Sequence, residues 1–168
     1  GIGNTEVTQV LATQALVLDR PRTMRVSLEG TLASGVSAKD VALALIARDG
    51  ADGAAGHALE FAGSTVRAMS VEGRMTLCNL ALEFGARFAF VAPDDKTFAF
   101  LRGRRHAPRG AAWNEAERAW RELPSDEGAR FDRETTFDVS ALAPQITWGT
   151  SPAHAVAIDG FVPDPDDA

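Results

Sequence analysis

Cysteine is almost absent from this chain, which contains a single one, Cys78, among 168 residues. One cysteine excludes an intrachain disulfide, and this fits a reducing compartment such as the cytoplasm. It also excludes an iron–sulfur cluster held by this chain alone, because such clusters normally take three or four thiolates. Histidine is scarce too. His57, His106 and His154 lie far apart and without neighbouring cysteine, so a zinc site is not indicated.

The chain also lacks an excess of basic residues. It has 17 Lys and Arg against 23 Asp and Glu, a formal net charge of -6, so no general nucleic-acid-binding face is indicated. Long apolar runs are missing as well, and none approaches the roughly 18 residues that a membrane span needs. We therefore expect neither nucleic acid nor membrane as a partner. Hydrophobic residues make up 45% of the chain, which is typical of a globular protein.

Alternating strand and helix patterns along the chain predict an α/β fold. Thr23 to Glu29 alternates apolar and polar residues and ends at a glycine, as a half-buried strand does. Ser37, with Asp40 three residues later, has the spacing of a capping box at the start of a helix. Further helices are predicted from Asn4 to about Leu18, from Ser70 onward, from Asp94 to about Arg102 and from Trp113 to Leu123. Further strands are predicted for 57–61, 87–92 and 130–139.

The helix that begins at Ser70 has an unusual distribution of polar residues. At 3.6 residues per turn, Glu72, Thr76, Asn79 and Glu83 fall within a stripe roughly 60° wide, and apolar residues cover most of the remaining surface. A helix with so little polar surface is predicted to be buried, where carboxylates are costly unless they are paired or functional. Proton handling is one interpretation. The alternative is an ordinary solvent-facing stripe, with Glu83 paired to Arg87 four residues on.

The run from Ser70 to Asn79, SVEGRMTLCN, is a long and specific motif. The other notable motifs are GIGNTEV at 1–7, LATQ at 11–14, GVSAKD at 35–40, APD at 92–94 and PQITWGTSP at 144–152. In this order they resemble the aconitase family, and within it the large subunits of isopropylmalate dehydratases. Because they extend over nearly the whole chain in register, the resemblance is far more specific than any one motif.

The resemblance implies an aconitase-like, three-layer α/β domain with a mixed sheet flanked by helices. It implies a hydro-lyase that isomerises 2-isopropylmalate and 3-isopropylmalate by dehydration and rehydration, a step of leucine biosynthesis. It further implies a 4Fe–4S cluster in the full-length enzyme and a separate small subunit as partner. Glu83 corresponds to the family's acid–base glutamate, and Asn79 to the asparagine that lies close to the cluster.

The family's cluster cysteines have no counterpart here, so we expect the chain to be an internal segment that binds no cluster and is inactive alone. Residues 1–20 are predicted to end a preceding domain, 21–143 to form the central domain carrying Glu83, and 144–168 to form an irregular segment and linker. The residues around Glu83 leave a homoaconitase or a methylmalate-type dehydratase as alternatives. A non-catalytic standalone domain of the same fold is a further alternative.

Overall fold

The computed structural model describes residues 3–164, and its element order confirms the predicted α/β class. The elements are α1 Asn4–Thr13, β1 Arg22–Glu29, α2 Ala38–Asp49, β2 His57–Ala62, α3 Ser64–Ala68, α4 Val71–Leu80, β3 Phe88–Val91, α5 Asp95–Leu101, α6 Ala111–Trp120, β4 Arg133–Asp138, β5 Gln145–Thr147 and β6 Ala155–Ala157. Within residues 3–164, no helix is long and apolar enough to cross a membrane. Residues 165–168, the end of the predicted linker, lie outside this description.

Four strands form the main sheet in the order β3-β2-β1-β4. All three strand pairings in it are parallel. The main sheet therefore differs from the mixed sheet that the resemblance implied. Antiparallel pairing is confined to a separate two-stranded ribbon of β5 and β6 (residues 145–157), in a segment predicted to be irregular. The parallel order follows from the connections, because each pair of sheet strands is separated by helices long enough to carry the chain back to the same edge.

The core lies between one face of this sheet and the helices α2 and α4. Met24, Val26 and Leu28 alternate along β1 and are completely buried, as the sequence pattern predicts. The residues that meet them from β2 and the helices include Leu59, Phe61, Val41, Leu45, Ile46, Val66 and Leu77. The capping box at Ser37 is confirmed: Asp40 N donates to the Ser37 hydroxyl, and the Asp40 carboxylate accepts from Ser37 N.

The opposite face of the sheet carries polar side chains on β1 and β4, and the exposed, stacked rings of Phe88 and Phe90 on β3. Irregular chain, rather than a second helical layer, crosses it. Arg25 lies between Glu60 and Glu134 in the strand register and forms ion pairs with both, at 3.4 and 3.9 Å. The connection from α6 to β4 crosses above them, because the Ser125 hydroxyl donates to Glu60 and the Phe131 ring lies 4.0 Å from the Arg25 guanidinium. Phe131, within the segment 130–139 that was predicted as one strand, therefore precedes β4 and faces this side of the sheet.

Two predicted helices are shorter than expected. The first ends at Thr13 rather than near Leu18, because Gln14 adopts a left-handed conformation with φ of 54°. The helix predicted for 113–123 ends at Trp120, so Leu123 lies beyond it and is 64% exposed. Trp113 is buried instead, with its ring edge-on to Trp120 at 5.6 Å. Trp113 and Trp120 lie two helical turns apart on one face of α6, and the large apolar area of the two rings favours packing of that face.

Candidate functional site

Glu83 lies just beyond α4, not on it. The helix ends at Leu80, and residues 81–85 continue as consecutive turns in which Glu83 N donates to Leu80 O at 3.0 Å. Gly85 closes them with φ of +86°, and a Cβ atom there would lie 3.1 Å from Ala51 O. A residue with a side chain is strained at that φ, so glycine enforces this end of the helix. The sequence pattern missed the stop because its apolar period continues through Phe84.

The turns place Glu83 at an open cleft of about 560 Å³, here called the Glu83 cleft. The first two turns of α2 form one side, the end of α4 another, and the β5–β6 ribbon the third. The lining residues are Lys39, Asp40, Leu43, Leu80, Glu83, Gln145, Ile146, Thr147, Gly149, Thr150, Ser151 and Pro152. The cleft therefore brings together two of the motifs noted above, GVSAKD and PQITWGTSP, which are about 100 residues apart in the chain.

Asp40 holds two of these sides together. One carboxylate oxygen accepts from Gln145 N at 2.8 Å, and the other accepts from the backbone N and the hydroxyl of Ser37 at 2.7 and 2.6 Å. Burial by itself raises the pKa of Asp40, but the hydrogen bonds from Gln145 and Ser37 outweigh it and lower that pKa below its usual value. The carboxylate is thus kept ionised, and its hydrogen bonds connect the start of α2 to the ribbon.

Lys39 and Glu83 are the other two charged residues of the cleft, and their charged groups are not engaged in hydrogen bonds as that of Asp40 is. Both side chains are exposed, and neither forms a side-chain hydrogen bond or an ion pair with any residue in 3–164. Arg87, the alternative partner for Glu83, is instead 3.7 Å from Glu6. The cleft therefore offers one free carboxylate and one free ammonium group to a ligand.

Asn79 lines a shallow surface depression of about 620 Å³ on the exposed side of α4, and Glu83 is not among the residues that line it. Glu72, Met75, Thr76, Cys78 and Leu82 line it with Asn79. The prediction of a buried helix is wrong, because Met75 is 60% exposed and only Arg74 and Leu77 of α4 are buried. The polar stripe is also broken. Glu72, Thr76 and Asn79 share the helix, whereas the turns carry Glu83 to the neighbouring cleft.

The described residues do not fit the role of iron–sulfur ligands. Cys78 is half-buried, and burial raises the pKa of its thiol, which disfavours the thiolate that a metal requires. No three His, Cys, Asp or Glu side chains within residues 3–164 converge on a common point where a metal ion would fit. A cluster next to Glu83 or Asn79 would therefore need ligands from elsewhere.

Sequence reasoning did not identify Lys39 or the role of Asp40. Both belong to a motif that carried the resemblance, and Asp40 was interpreted only as a helix cap. No local signal marks either residue as part of a cleft, because the ribbon that completes it comes from residues more than a hundred positions later. Correlated variation of residues 40 and 145 is the kind of signal that identifies such a contact.

Together, the parallel α/β fold and a cleft lined by polar and apolar side chains have the features of a domain with a small-molecule site. The model of the aconitase family, described as aconitate hydratase, matches residues 1–168, and the chain belongs to that family.

Its similar relatives are large subunits of 3-isopropylmalate dehydratase. The chain is 54% identical over 167 residues to large subunit 1 of Bradyrhizobium diazoefficiens, covering 99% of this chain and 35% of that protein. It is 56% identical over 165 residues to the large subunit of Anaeromyxobacter dehalogenans, covering 98% and 34%. For Roseiflexus castenholzii the identity is 52% over 167 residues, covering 99% and 35%. The chain thus spans about a third of the length of the curated relatives that it matches.

Proposed function

We propose that this chain is the Glu83-bearing part of a hydro-lyase that interconverts 2-isopropylmalate and 3-isopropylmalate. The observation that carries the proposal is a free carboxylate in an open cleft, in a chain at least 52% identical to isopropylmalate dehydratase large subunits over nearly its whole length. The reaction eliminates water from one carbon pair and adds it back with the hydroxyl on the neighbouring carbon.

Glu83 acts as the acid–base group in this proposal. Elimination removes a proton from carbon and releases the hydroxyl as water, so a group near the hydroxyl must supply or accept a proton in each direction. Glu83 suits this role because it is unpaired within residues 3–164 and lines the cleft. A carboxylate paired with arginine would be a poorer proton donor, because the neighbouring positive charge favours its ionised form.

The 4Fe–4S cluster and the small subunit come from outside this chain. Residues 3–164 do not fit as cluster ligands, so in this proposal they contribute proton transfer and not ligands to the cluster. Asn79 is exposed on α4 and is proposed to lie beside the cluster when the enzyme is assembled. Residues 21–143 would then form the central domain. Residues 1–20 would end the preceding domain, and residues 144–168 would connect to the cluster-binding part. The whole enzyme would be cytoplasmic and would act in leucine biosynthesis.

The decisive test is the activity of the full-length protein, reconstituted with iron, sulfide and its small subunit, toward 2-isopropylmalate, homocitrate, citramalate and citrate. We expect preference for 2-isopropylmalate. Glu83→Gln keeps the size of the side chain but cannot exchange its proton, and should lower kcat by about 10²- to 10⁴-fold. The matched control is Glu115→Gln, since Glu115 is an exposed residue of α6 outside the cleft. Unchanged kcat in Glu83→Gln would remove Glu83 from the mechanism, and preference for another substrate would reject the proposed function.

A further inference from the structure

Of the three charged side chains in the Glu83 cleft, only that of Asp40 has hydrogen-bond partners within residues 3–164. Asp40 uses both carboxylate oxygens to accept hydrogen bonds from Ser37 and Gln145, so it is not available to neutralise a nearby cation. Lys39, the next residue along α2, has no hydrogen bond or ion pair from its side chain within residues 3–164. In contrast Lys96, which is also exposed, donates to the backbone carbonyls of Arg67 and Ala68 at 2.8 and 2.6 Å. Of these two lysines, only Lys39 has an ammonium group without a partner within residues 3–164, and it lies in the cleft.

The surroundings of Lys39 combine apolar and hydrogen-bonding groups. Leu43 lies one turn further along α2 and is buried, while Ile146 on the ribbon is 50% exposed. Thr147 and Thr150 line the same cleft. The cleft of about 560 Å³ thus combines apolar surface with the unpaired ammonium group of Lys39 and the unpaired carboxylate of Glu83. It can offer a small organic anion one cation for binding and a separate group for proton transfer.

We propose that Lys39 binds a carboxylate of the hydroxy-dicarboxylate substrate. This inference rests on the proposed function and assigns to it a binding residue distinct from Glu83. An ammonium group forms short, charge-assisted hydrogen bonds with a carboxylate, about twice as strong as neutral ones. The position of Lys39 in the first turn of α2 adds to this, because the helix dipole favours an anion at that end.

The proposed role of Lys39 is to hold the substrate, not to transfer a proton. Its contact is made with a carboxylate that is present throughout the reaction, so the bound substrate and the transition state should gain equally from it. Removing such uniform binding raises KM and leaves kcat nearly unchanged. Removing the proton transfer of Glu83 lowers kcat instead, so the two roles have different kinetic signatures.

The test compares three variants of the full-length, reconstituted protein with its small subunit. Lys39→Met removes the charge and retains the length of the side chain, Lys39→Arg restores the charge, and Arg105→Met removes a positive charge from an exposed loop outside the cleft. We expect Lys39→Met to raise KM for 2-isopropylmalate by about 10- to 100-fold, the loss of one hydrogen bond between charged groups. Lys39→Arg should recover most of the affinity, and Arg105→Met should keep the parental KM.

Direct binding provides a second readout that does not depend on turnover. The dissociation constant of 2-isopropylmalate is measured by titration calorimetry on the cluster-free, full-length parental protein and on each variant. Lys39→Met should weaken binding by a similar factor at low salt, with the parental melting temperature, because the side chain makes no contact that folding requires.

The outcomes separate the inference from the proposed function. An active parental protein together with parental KM and affinity in Lys39→Met would overturn the role of Lys39 alone. A fall in kcat without a rise in KM would also overturn it, since that result assigns Lys39 to the chemical step. A parental protein that does not convert 2-isopropylmalate would reject the proposed function, and this inference with it.

Discussion

Arg74 lies almost entirely out of water, with 4% of its surface exposed. Its guanidinium donates to Val66 O and Arg67 O and binds the Asp94 carboxylate through both terminal nitrogens, at 2.8 and 2.6 Å. A buried charge is tolerated only when its donors are satisfied, and here the partners come from α3 and from the cap of α5. Arg74 therefore ties together three helices around the carboxyl ends of β2 and β3.

The same pair makes stability depend on pH. The hydrogen bonds from Arg74 lower the pKa of Asp94 to about 2. A carboxyl group whose pKa is lower in the folded state stabilises that state above its unfolded pKa, and this contribution is lost as pH falls through the folded pKa. Because the Asp94 side chain is 37% exposed, solvent screening reduces the contribution to an order of 1 kcal/mol.

Asp94→Asn should therefore lower the free energy of unfolding at neutral pH. The difference in this free energy between the parental chain and the variant should become smaller as the pH falls from about 4 to about 2. Urea denaturation at a series of pH values measures this convergence. Asp126→Asn is the control, since Asp126 is exposed and its side chain has no partner within residues 3–164. A gap between parent and Asp94→Asn that stayed constant down to about pH 2 would contradict the assignment.

At the scale of elements, the β5–β6 ribbon depends on α2 for its position. The ribbon has only three residues per strand, and an isolated pair of strands is marginally stable in water. The Asp40 bond to Gln145 N, together with the packing of the ribbon against α2, holds it beside Lys39. Trp148 and His154 add a stacked pair, with ring centroids 5.5 Å apart, that closes the ribbon.

Asp40→Ala should loosen the ribbon more than it destabilises the domain. Loss of the Asp40 carboxylate that accepts from Ser37 in the capping box should cost about 1 kcal/mol of global stability, whereas the amide of Gln145 loses its acceptor outright. We expect much faster hydrogen exchange at Gln145 and along the ribbon, with β1 and β2 changed only by the global loss. Asp126→Ala should leave both quantities as they were. Equal acceleration in the ribbon and in the sheet would show that Asp40 acts only through overall stability.

At the scale of the whole molecule, the chain carries a catalytic candidate without the ligands for the cofactor that its family uses. We expect the 168-residue chain, after treatment with iron and sulfide and desalting, to retain no bound iron and no visible absorbance. The physical reason is that one half-buried thiol with a raised pKa cannot replace three or four thiolates. Iron analysis and absorption spectra measure the result, and stoichiometric iron that survives desalting would contradict it.

The elements with strong local signals were predicted well. The alternation of Met24, Val26 and Leu28 defined β1, and Ser37 with Asp40 defined the start of α2, because strand period and helix capping depend on neighbouring residues. The end of α4 was not predicted, since the apolar period continues past the point where Gly85 turns the chain. The covering of the outer sheet face was also missed, because Ser125 and Phe131 act there through contacts remote in sequence.

The sequence by itself determined the α/β class, the family and Glu83 as the candidate acid–base residue, since these follow from periodicity and from long motifs read in order. Only the tertiary structure decided which groups share a cleft with that residue. It placed Glu83 in a cleft whose lining does not include Asn79, and it joined Lys39 and Asp40 to the ribbon more than a hundred residues away. Such proximity depends on how helices and strands pack, and no local pattern along the chain encodes it.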